Sequence, residues 1–362
     1  MGNIAEKLLP KNQTIEFNKP TLSKEELVTV LDCLVDDMLS SGLIKDRFEK
    51  DFKSTFKLRN VIAVNSLTSA YHLALIALGI TDNDPVLLST YAPHAALDAI
   101  LMLRAKPILV DLAKSSFHMD VEEFNHRVEE FSPKAILIDH AFGCLFDLKK
   151  YNTKDIPVIE DYSEAIGADS EDISVGKQGT VSICGMLPNH VITTGNGAIM
   201  ITPNDTLAEN IRSLKVGNNE KREADKPKYD YNLLDFQAAI GIEQISKLGV
   251  IIERKKKIAQ IYLQSVLAAS HETFFKHASQ DQFNRFPIII SKPYEEVERY
   301  FKSLQIGTER TISNPLHRIL KANNGDFANA ERLYQRGHCI PIYPNLTKDN
   351  VNRIANSIKG IY

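Results

Sequence analysis

Several side chains that could do chemistry stand at the ends of short apolar runs in this sequence. Asp161 closes one run, and a carboxylate buried there is costly unless it is paired, for example with a protonated ring nitrogen. Tyr91 follows a second run, where its ring could lie over a flat ligand, and His190 follows a third, where an imidazole could act as a general base. Each also has an ordinary structural interpretation, because most such tyrosines pack and most single histidines only satisfy hydrogen bonds.

Two further segments stand out, and the first of them could hold an anion. Residues 66–70 (SLTSA) open a helix whose free N–H groups form an anion site, although helix caps need the same residue types. Residues 229–232 (YDYN) precede a helix whose Ala238, Ala239 and Gly241 permit close packing. Lys and Arg total 43 while Asp and Glu total 46, which gives a net charge of −3, so an anionic ligand has to rely on such a local site.

The elements that position these segments are seven short apolar runs separated by helix-length stretches. Runs that are apolar on both faces are typical of parallel strands between helices, and ligands of such open sheets bind outside the carboxyl ends of the strands. A capping box at Ser23 and Glu26 predicts a helix ahead of the first run. The runs cover residues 61–65, 86–89, 107–111, 134–138, 157–161, 180–184 and 198–202.

The pattern changes after residue 202. The charged stretch 216–231 is typical of an exposed loop, and a long helix from about Leu234 to Val266 follows it. A smaller unit of three strands and three helices completes the chain. The sequence therefore predicts an N-terminal arm (1–20), a large domain (21–249) and a small C-terminal α/β domain (250–362).

Composition excludes several classes of protein. The first residues lack the pattern of a signal peptide, and no run approaches the length of a membrane span, so we expect a cytoplasmic protein without membrane or nucleic-acid partners. Four scattered cysteines without a CxxC pair argue against a disulfide framework or a metal site and suit buried thiols.

Taken together, these segments resemble the DegT/StrS family of sugar aminotransferases, which are pyridoxal phosphate (PLP) enzymes of fold type I. The resemblance implies a three-layer fold with a mostly parallel seven-stranded sheet, a nucleotide-sugar substrate, and a homodimer in which the partner's loop 216–232 completes each site. It runs nearly end to end, through NSLTSAYHLALIALGI (65–80), AKPILVDL (105–112), VIEDYSEAIGA (158–168), LPNHVITTGNGA (187–198), YDYNLLDFQAAIGIEQISKL (229–248), NPLH (314–317) and IPIYPNLT (340–347).

The resemblance also implies roles for single residues. Asp161 stands where the family's aspartate binds the pyridine nitrogen of PLP and keeps it protonated. Tyr91 stands where an aromatic ring stacks on the cofactor, and Thr68 where the backbone and hydroxyl hold its phosphate. His190 occupies the position of the lysine that links covalently to PLP, and an imidazole cannot form that link.

Four more positions differ from the family pattern. These substitutions weaken the predicted phosphate site. Asp230 in particular would bring a negatively charged carboxylate towards the phosphate. The phosphate-binding serine is Gly185, the glycine of the phosphate turn is Leu67, the asparagine from the partner subunit is Asp230, and the residue that contacts the ring's O3′ is Glu164.

Three hypotheses follow. In the first, the protein resembles GDP-4-keto-6-deoxymannose 3-dehydratase, in which a histidine serves as base on an adduct of pyridoxamine phosphate (PMP) and the C3 hydroxyl is eliminated; His190 is then that base. In the second, the chain has lost PLP and acts as a different catalyst or as a binding subunit. In the third, it is a conventional aminotransferase in which another lysine has moved in, Lys177 being the nearest in sequence.

Overall fold

The computed structural model describes residues 14–168, 170–215, 227–275 and 281–361. Residues 1–13 of the predicted arm and 216–226 of the predicted loop lie outside the described residues. The described end of the arm pairs with the C-terminal part of the chain, since Ile15 donates its N–H to the carbonyl of Gln305 at 2.8 Å and is itself buried.

All seven predicted runs form strands of one sheet. The strand order is β1-β7-β6-β5-β4-β2-β3, and β7 runs antiparallel to both of its neighbours while the other pairs are parallel. The prediction of a mostly parallel sheet is confirmed. The strands are β1 (Asn60–Val64), β2 (Pro85–Ser89), β3 (Lys106–Val110), β4 (Ala135–Asp139), β5 (Val158–Asp161), β6 (Val181–Gly185) and β7 (Ala198–Thr202).

Helices cover both faces of this sheet. In β1, Ile62 and Val64 join one hydrophobic cluster while Val61 and Ala63 join another on the opposite face, as the alternation of side chains along a strand requires. The helices of this part are α1 (Lys24–Val35), α2 (Leu43–Phe56), α3 (Leu67–Ala77), α4 (His94–Met102), α5 (Val121–Phe131), α6 (Asp205–Lys215) and α7 (Asp235–Ala268).

The C-terminal part is a three-stranded antiparallel sheet with its own helices. Its order is β8-β10-β9, and the predicted domain boundary near residue 250 falls inside α7, which packs against α1 and α2 as well as against the last helix. The division into domains therefore stays a prediction. The elements are β8 (Phe286–Ile289), α8 (Tyr294–Ser303), β9 (Glu309–Arg310), α9 (Leu316–Ile319), α10 (Ala328–Arg336), β10 (Gly337–Ile340) and α11 (Lys348–Lys359).

Helix α1 starts as the capping box predicts, because the backbone N–H of Ser23 donates to Glu26 at 2.9 Å. One face of α1 is turned away from the core: Leu27, Leu31 and Leu34 are 60%, 50% and 49% exposed.

Among the described helices, none combines the length and apolar character needed to cross a membrane.

His338 in β10 makes the stability of the fold depend on pH. It is fully buried, stacks on Tyr294, and within the described chain neither of its ring nitrogens has a hydrogen-bond partner. Burial lowers the pKa of His338 from 6.5 to about 3. Below pH 6.5 the unfolded chain therefore binds a proton at His338, whereas the folded chain does not. This difference lowers the free energy of unfolding as the pH falls from 6.5 towards 3.

We expect His338→Phe, which keeps the stacked ring, to flatten this dependence. The free energy of unfolding of the wild type should lose up to roughly 1.4 kcal/mol per pH unit from this group. Urea unfolding of both proteins at several values between pH 7.5 and 4.5 measures the difference. Parallel pH profiles for the two proteins would refute the assignment.

Candidate active site at the carboxyl edge of the sheet

A cleft of about 370 Å³ opens at the carboxyl ends of the central strands. Five predicted site residues share it, although they come from four separate stretches of the chain. Other walls are supplied by residues 309–313 beside β9 and by Arg285, just before β8. The predicted residues that line the cleft are Leu67, Tyr91, Asp161, Glu164 and His190.

Asp161 ends β5 and is 3% exposed. Tyr71 from α3 donates its hydroxyl proton to Oδ2 at 2.6 Å, and the N–H of Ser163 donates to Oδ1 at 2.8 Å. The Ser163 hydroxyl donates to Oδ1 as well. Three donors thus compensate the burial of this carboxylate, which keeps an acceptor in the cleft for a positively charged group.

Tyr91 is also held rigidly. Its hydroxyl lies 3.1 Å from Oγ1 of Thr311 and donates to the carbonyl of Ala330 at 3.3 Å, so this residue, two positions after β2, is tied to the C-terminal part of the chain. Burial raises the pKa of Tyr91 well above its ordinary value, which keeps the hydroxyl neutral. An aromatic ring fixed at both ends suits a stacking surface.

His190 lies against Gly185, the last residue of β6. A Cβ atom at position 185 would come within 2.8 Å of Cε1 of His190, so a serine there and this imidazole exclude each other. The imidazole of His190 can therefore occupy this place only because position 185 has no side chain. The Gly185 N–H is not left unpaired by it, since it donates to the hydroxyl of Ser163 at 2.6 Å.

His190 has the protonation state that a base needs. Burial lowers the pKa of His190 below 6.5, even though the carboxylate of Glu164 and a hydrogen bond with the Gly185 backbone oppose the shift. The imidazole is therefore neutral at pH 7. Its Nδ1 accepts the N–H of Leu187 at 3.3 Å, so that nitrogen carries the lone pair that could take up a proton.

Glu164 is engaged in a bidentate ion pair that sequence reasoning missed. Its carboxylate accepts from Arg285 at 2.7 Å and 3.2 Å, and from the side-chain amide of Asn284 at 2.9 Å. Burial alone would raise the pKa of Glu164, but Arg285 outweighs it and lowers the value. The guanidinium also lies over the ring of Phe142 at 4.5 Å. The positive charge of Arg285 thus balances the negative charge that Glu164 brings to the cleft.

Asp139 is a second residue that the sequence reading missed. It ends β4 and pairs in register with Asp161 on β5. Burial, reinforced by the charges of Asp161 and Glu164, raises the pKa of Asp139 well above its ordinary value, which favours the neutral form of this carboxyl group. Its signal was available, because it directly follows the fourth apolar run, as Asp161 ends the fifth.

The predicted phosphate site is split between two cavities. Leu67 and Thr68 form the first turn of α3, whose N–H groups have no acceptor within the helix. Ser66 caps this helix by accepting from Ser69 at 3.0 Å. Asp230 lies instead in a neighbouring cavity of about 690 Å³, together with Ser66, Ser69 and Asn232. Within one chain Asp230 therefore does not line the cleft that holds His190.

The cleft fits a flat ring with a basic nitrogen. Asp161 supplies a satisfied carboxylate acceptor and Tyr91 an aromatic ring. From the first turn of α3, Leu67 lines the cleft and Thr68 does not. Lys177, the candidate replacement for the missing lysine, is exposed and does not line the cleft. The described residues contain no cluster of three or more His, Cys, Asp or Glu able to hold a metal ion.

We expect Gly185→Ala to displace the ring of His190. The new Cβ would collide with Cε1, and overpacking of this kind destabilises a protein by about 1–3 kcal/mol. Gly249→Ala in α7 is the matched control, because a Cβ there meets nothing within 4 Å, and it should stabilise the helix by about 0.8–1 kcal/mol. Urea unfolding and the His190 titration by NMR read out both effects. A Gly185→Ala protein with wild-type stability and an unchanged His190 pKa would contradict this packing.

Comparison with known proteins reveals relatives along nearly the whole chain. The sequence model of the DegT/DnrJ/EryC1/StrS aminotransferase family matches residues 20–359. The chain is 32% identical to an uncharacterised protein of Methanocaldococcus jannaschii, over 95% of this chain and 96% of that protein. It is 29% identical to the GDP-perosamine synthase of Vibrio cholerae, over 96% and 99% of the two chains.

Solved structures share the fold at lower identity. The putative sugar aminotransferase Spr1654 from Streptococcus pneumoniae, in its PMP form, has a TM-score of 0.87 at 18% identity, over 96% of this chain and 97% of that one. The E. coli GDP-4-keto-6-deoxy-D-mannose-3-dehydratase with bound hydrated PLP has a TM-score of 0.85 at 19% identity, over 95% and 99%. The predicted fold type I architecture is confirmed.

Proposed function

The chain belongs to the DegT/DnrJ/EryC1/StrS aminotransferase family, and we propose that it is a PLP/PMP-dependent enzyme that acts on a nucleotide-linked 4-keto-6-deoxy sugar with His190 as general base. The observation that carries the proposal is the single cleft shared by a neutral imidazole, a satisfied carboxylate and a fixed aromatic ring. Relatives named GDP-perosamine synthase and spore coat polysaccharide biosynthesis protein SpsC support a sugar-nucleotide substrate.

Different residues of this chain would bind different parts of the cofactor. When bound, PMP supplies an amine and a ring that accepts electrons. Asp161 would bind the ring nitrogen, Tyr91 would cover the ring, and the first turn of α3, with Leu67 and Thr68, would bind the phosphate. The family resemblance implies that Gly185, Glu164 and Asp230 also border the cofactor, and in this proposal Asp230 would reach the site from a partner subunit.

His190 decides which reaction follows. An imidazole cannot bind the cofactor covalently, so cofactor and substrate are held by non-covalent contacts alone. The neutral ring accepts a proton in the cleft, and after gaining it can return the proton to a leaving oxygen. This behaviour favours elimination of the C3 hydroxyl over ordinary transamination. The structural neighbours include a histidine-to-asparagine mutant of the 3-dehydratase with bound GDP-perosamine, which is consistent with this comparison.

We expect the purified protein, given PMP, glutamate and a 4-keto-6-deoxy nucleotide sugar, to form the 3-deoxy product. His190→Asn should lower kcat by about 100-fold or more while PMP still binds, because it removes the base and leaves Asp161 and Tyr91 in place. Mass spectrometry of the sugar product and detection of 2-oxoglutarate measure the reaction. The acid limb of kcat/KM should lie below pH 6.5 and disappear in the variant.

Three outcomes separate the hypotheses. An amino sugar instead of a deoxy sugar would mean that the protein transaminates in spite of lacking the lysine. Full turnover by His190→Asn would exclude His190 as the base. Binding of the nucleotide sugar without binding of PLP or PMP would favour the second hypothesis, in which the chain is a different catalyst or a binding subunit.

The proposal includes a homodimer. The exposed leucines of α1 form an apolar stripe that the chain's own core leaves uncovered, and a second copy is the occupant implied by the family resemblance. Helix α1 packs against α7, the helix whose start we expect at the interface.

The proposal also includes a cytoplasmic location, because Cys33, Cys184 and Cys339 are buried and form no disulfide in the described chain.

We expect Leu31→Glu to shift the protein from dimer towards monomer in light-scattering measurements, because it places a charge in the middle of the stripe. Leu267→Glu is the control, since Leu267 is 77% exposed but lies at the far end of α7. A wild-type protein that runs as a monomer, or a Leu31→Glu protein that dimerises as the wild type does, would count against the stripe as an interface.

A further inference from the structure

His190 lines two cavities. One is the cleft, and the other is a cavity of about 10 Å³ between the N-terminal segment and α7. That volume is about the size of one water molecule. Lys255, on α7, lines this rear cavity too, and the exposed residues Lys19 and Pro20 form its outer wall.

Lys255 is an unusual lysine. It is 5% exposed, and its Nζ donates to the backbone carbonyl of Asn284 at 2.9 Å and faces the Asn284 amide oxygen at 3.4 Å. No carboxylate among the described residues forms an ion pair with it. Asn284 in turn donates to Glu164 at 2.9 Å and to the carbonyl of Asn189 at 3.1 Å, so Asn284 links the amine to the residue that precedes His190.

We propose that Lys255 exchanges protons with His190 through one water molecule held in the rear cavity. The N–H bond of the imidazolium breaks as the water gains that proton, and the same water gives another proton to the lone pair of the Lys255 amine. The products are a neutral imidazole, an ammonium group and an unchanged water, so atoms and charge balance and no electron is transferred. This proposal rests on the role of His190 as base.

The direction of transfer agrees with the surroundings of the two groups. Burial lowers the pKa of Lys255 to about 7, against the opposing charge of Glu164. The pKa of His190 lies below 6.5, under burial and the charges of Glu164, Asp161 and Arg285. Tyr343 and Lys19 are the other titratable residues on the cavity wall. Of the two groups, the Lys255 amine therefore has the higher pKa. Above pH 7 it is neutral and can accept the proton from His190.

A rear path matters because the substrate would cover the front of the imidazole. Return of the proton to a leaving oxygen resets His190 within one elimination, but a proton that stays on the imidazole needs another way out while the substrate fills the cleft. The rear path would supply it. Lys255 would act on the reaction through His190 without touching the substrate.

The experiment is a titration of the His190 ring by NMR in the protein without cofactor. The wild type should show two coupled steps, one of them near pH 7. Lys255→Met should leave one step and raise the His190 pKa by about one unit, because a neighbouring positive charge is removed. Lys215→Met is the matched control: Lys215 is also buried, in α6, with a pKa lowered to about 8, but it donates to Ala63 away from this cavity.

Lys255→Arg separates proton exchange from a structural role. An arginine can keep the charge and the hydrogen bonds to Asn284 but cannot become neutral. We expect it to abolish the step near pH 7 and, in the active protein, to lower kcat at least about tenfold, as Lys255→Met does. Restoration of activity by arginine would assign Lys255 a structural role and overturn the proposal.

A single-step titration of His190 in the wild type would overturn it as well, even if no variant folds. The result is independent of the proposed function. Coupled steps without turnover would disprove the enzyme assignment alone, and turnover without coupled steps would disprove the proton exchange alone.

Discussion

A carboxylate that ends a central strand of a covered sheet has to be satisfied by its neighbours, because an unpaired buried charge costs several kcal/mol. At Asp161 that requirement is met by Tyr71 from α3 and by Ser163 from the following turn. These contacts fix the start of α3 and the exit of β5 relative to each other. The same contacts hold the acceptor at the cleft wall, so stability and function depend on one set of hydrogen bonds.

Two of the departures from the family pattern, Gly185 and His190, are coupled by packing. Gly185 gives the imidazole of His190 the space that a serine would fill, and Arg285 balances the charge that Glu164 brings to the ring edge. Burial and the neighbouring carboxylates raise the pKa of Asp139, which favours its neutral form beside Asp161. These compensations concern Gly185, His190 and Glu164, while Asp161 keeps a carboxylate acceptor in the cleft.

Much of this fold could be predicted from the sequence, because strand and helix periodicities are local. All seven runs became strands, and the capping box at Ser23 marked the start of α1. The partners of the site residues were not predictable in the same way. Arg285 lies 121 positions from Glu164 along the chain, and no local pattern connects the two. Periodicity likewise predicted α1 without telling which surface Leu27 and Leu31 cover.

The central claim is that this cleft holds a pyridine ring by non-covalent contacts, with Asp161 as the anchor of the ring nitrogen. Calorimetric titration of the purified wild type and of Asp161→Asn with PMP tests it most directly. The account predicts saturable binding by the wild type at sub-millimolar PMP and a large loss in the variant, whose amide lacks the negative charge. No binding of PMP or PLP by the wild type at these concentrations, or equal binding by both proteins, would contradict it.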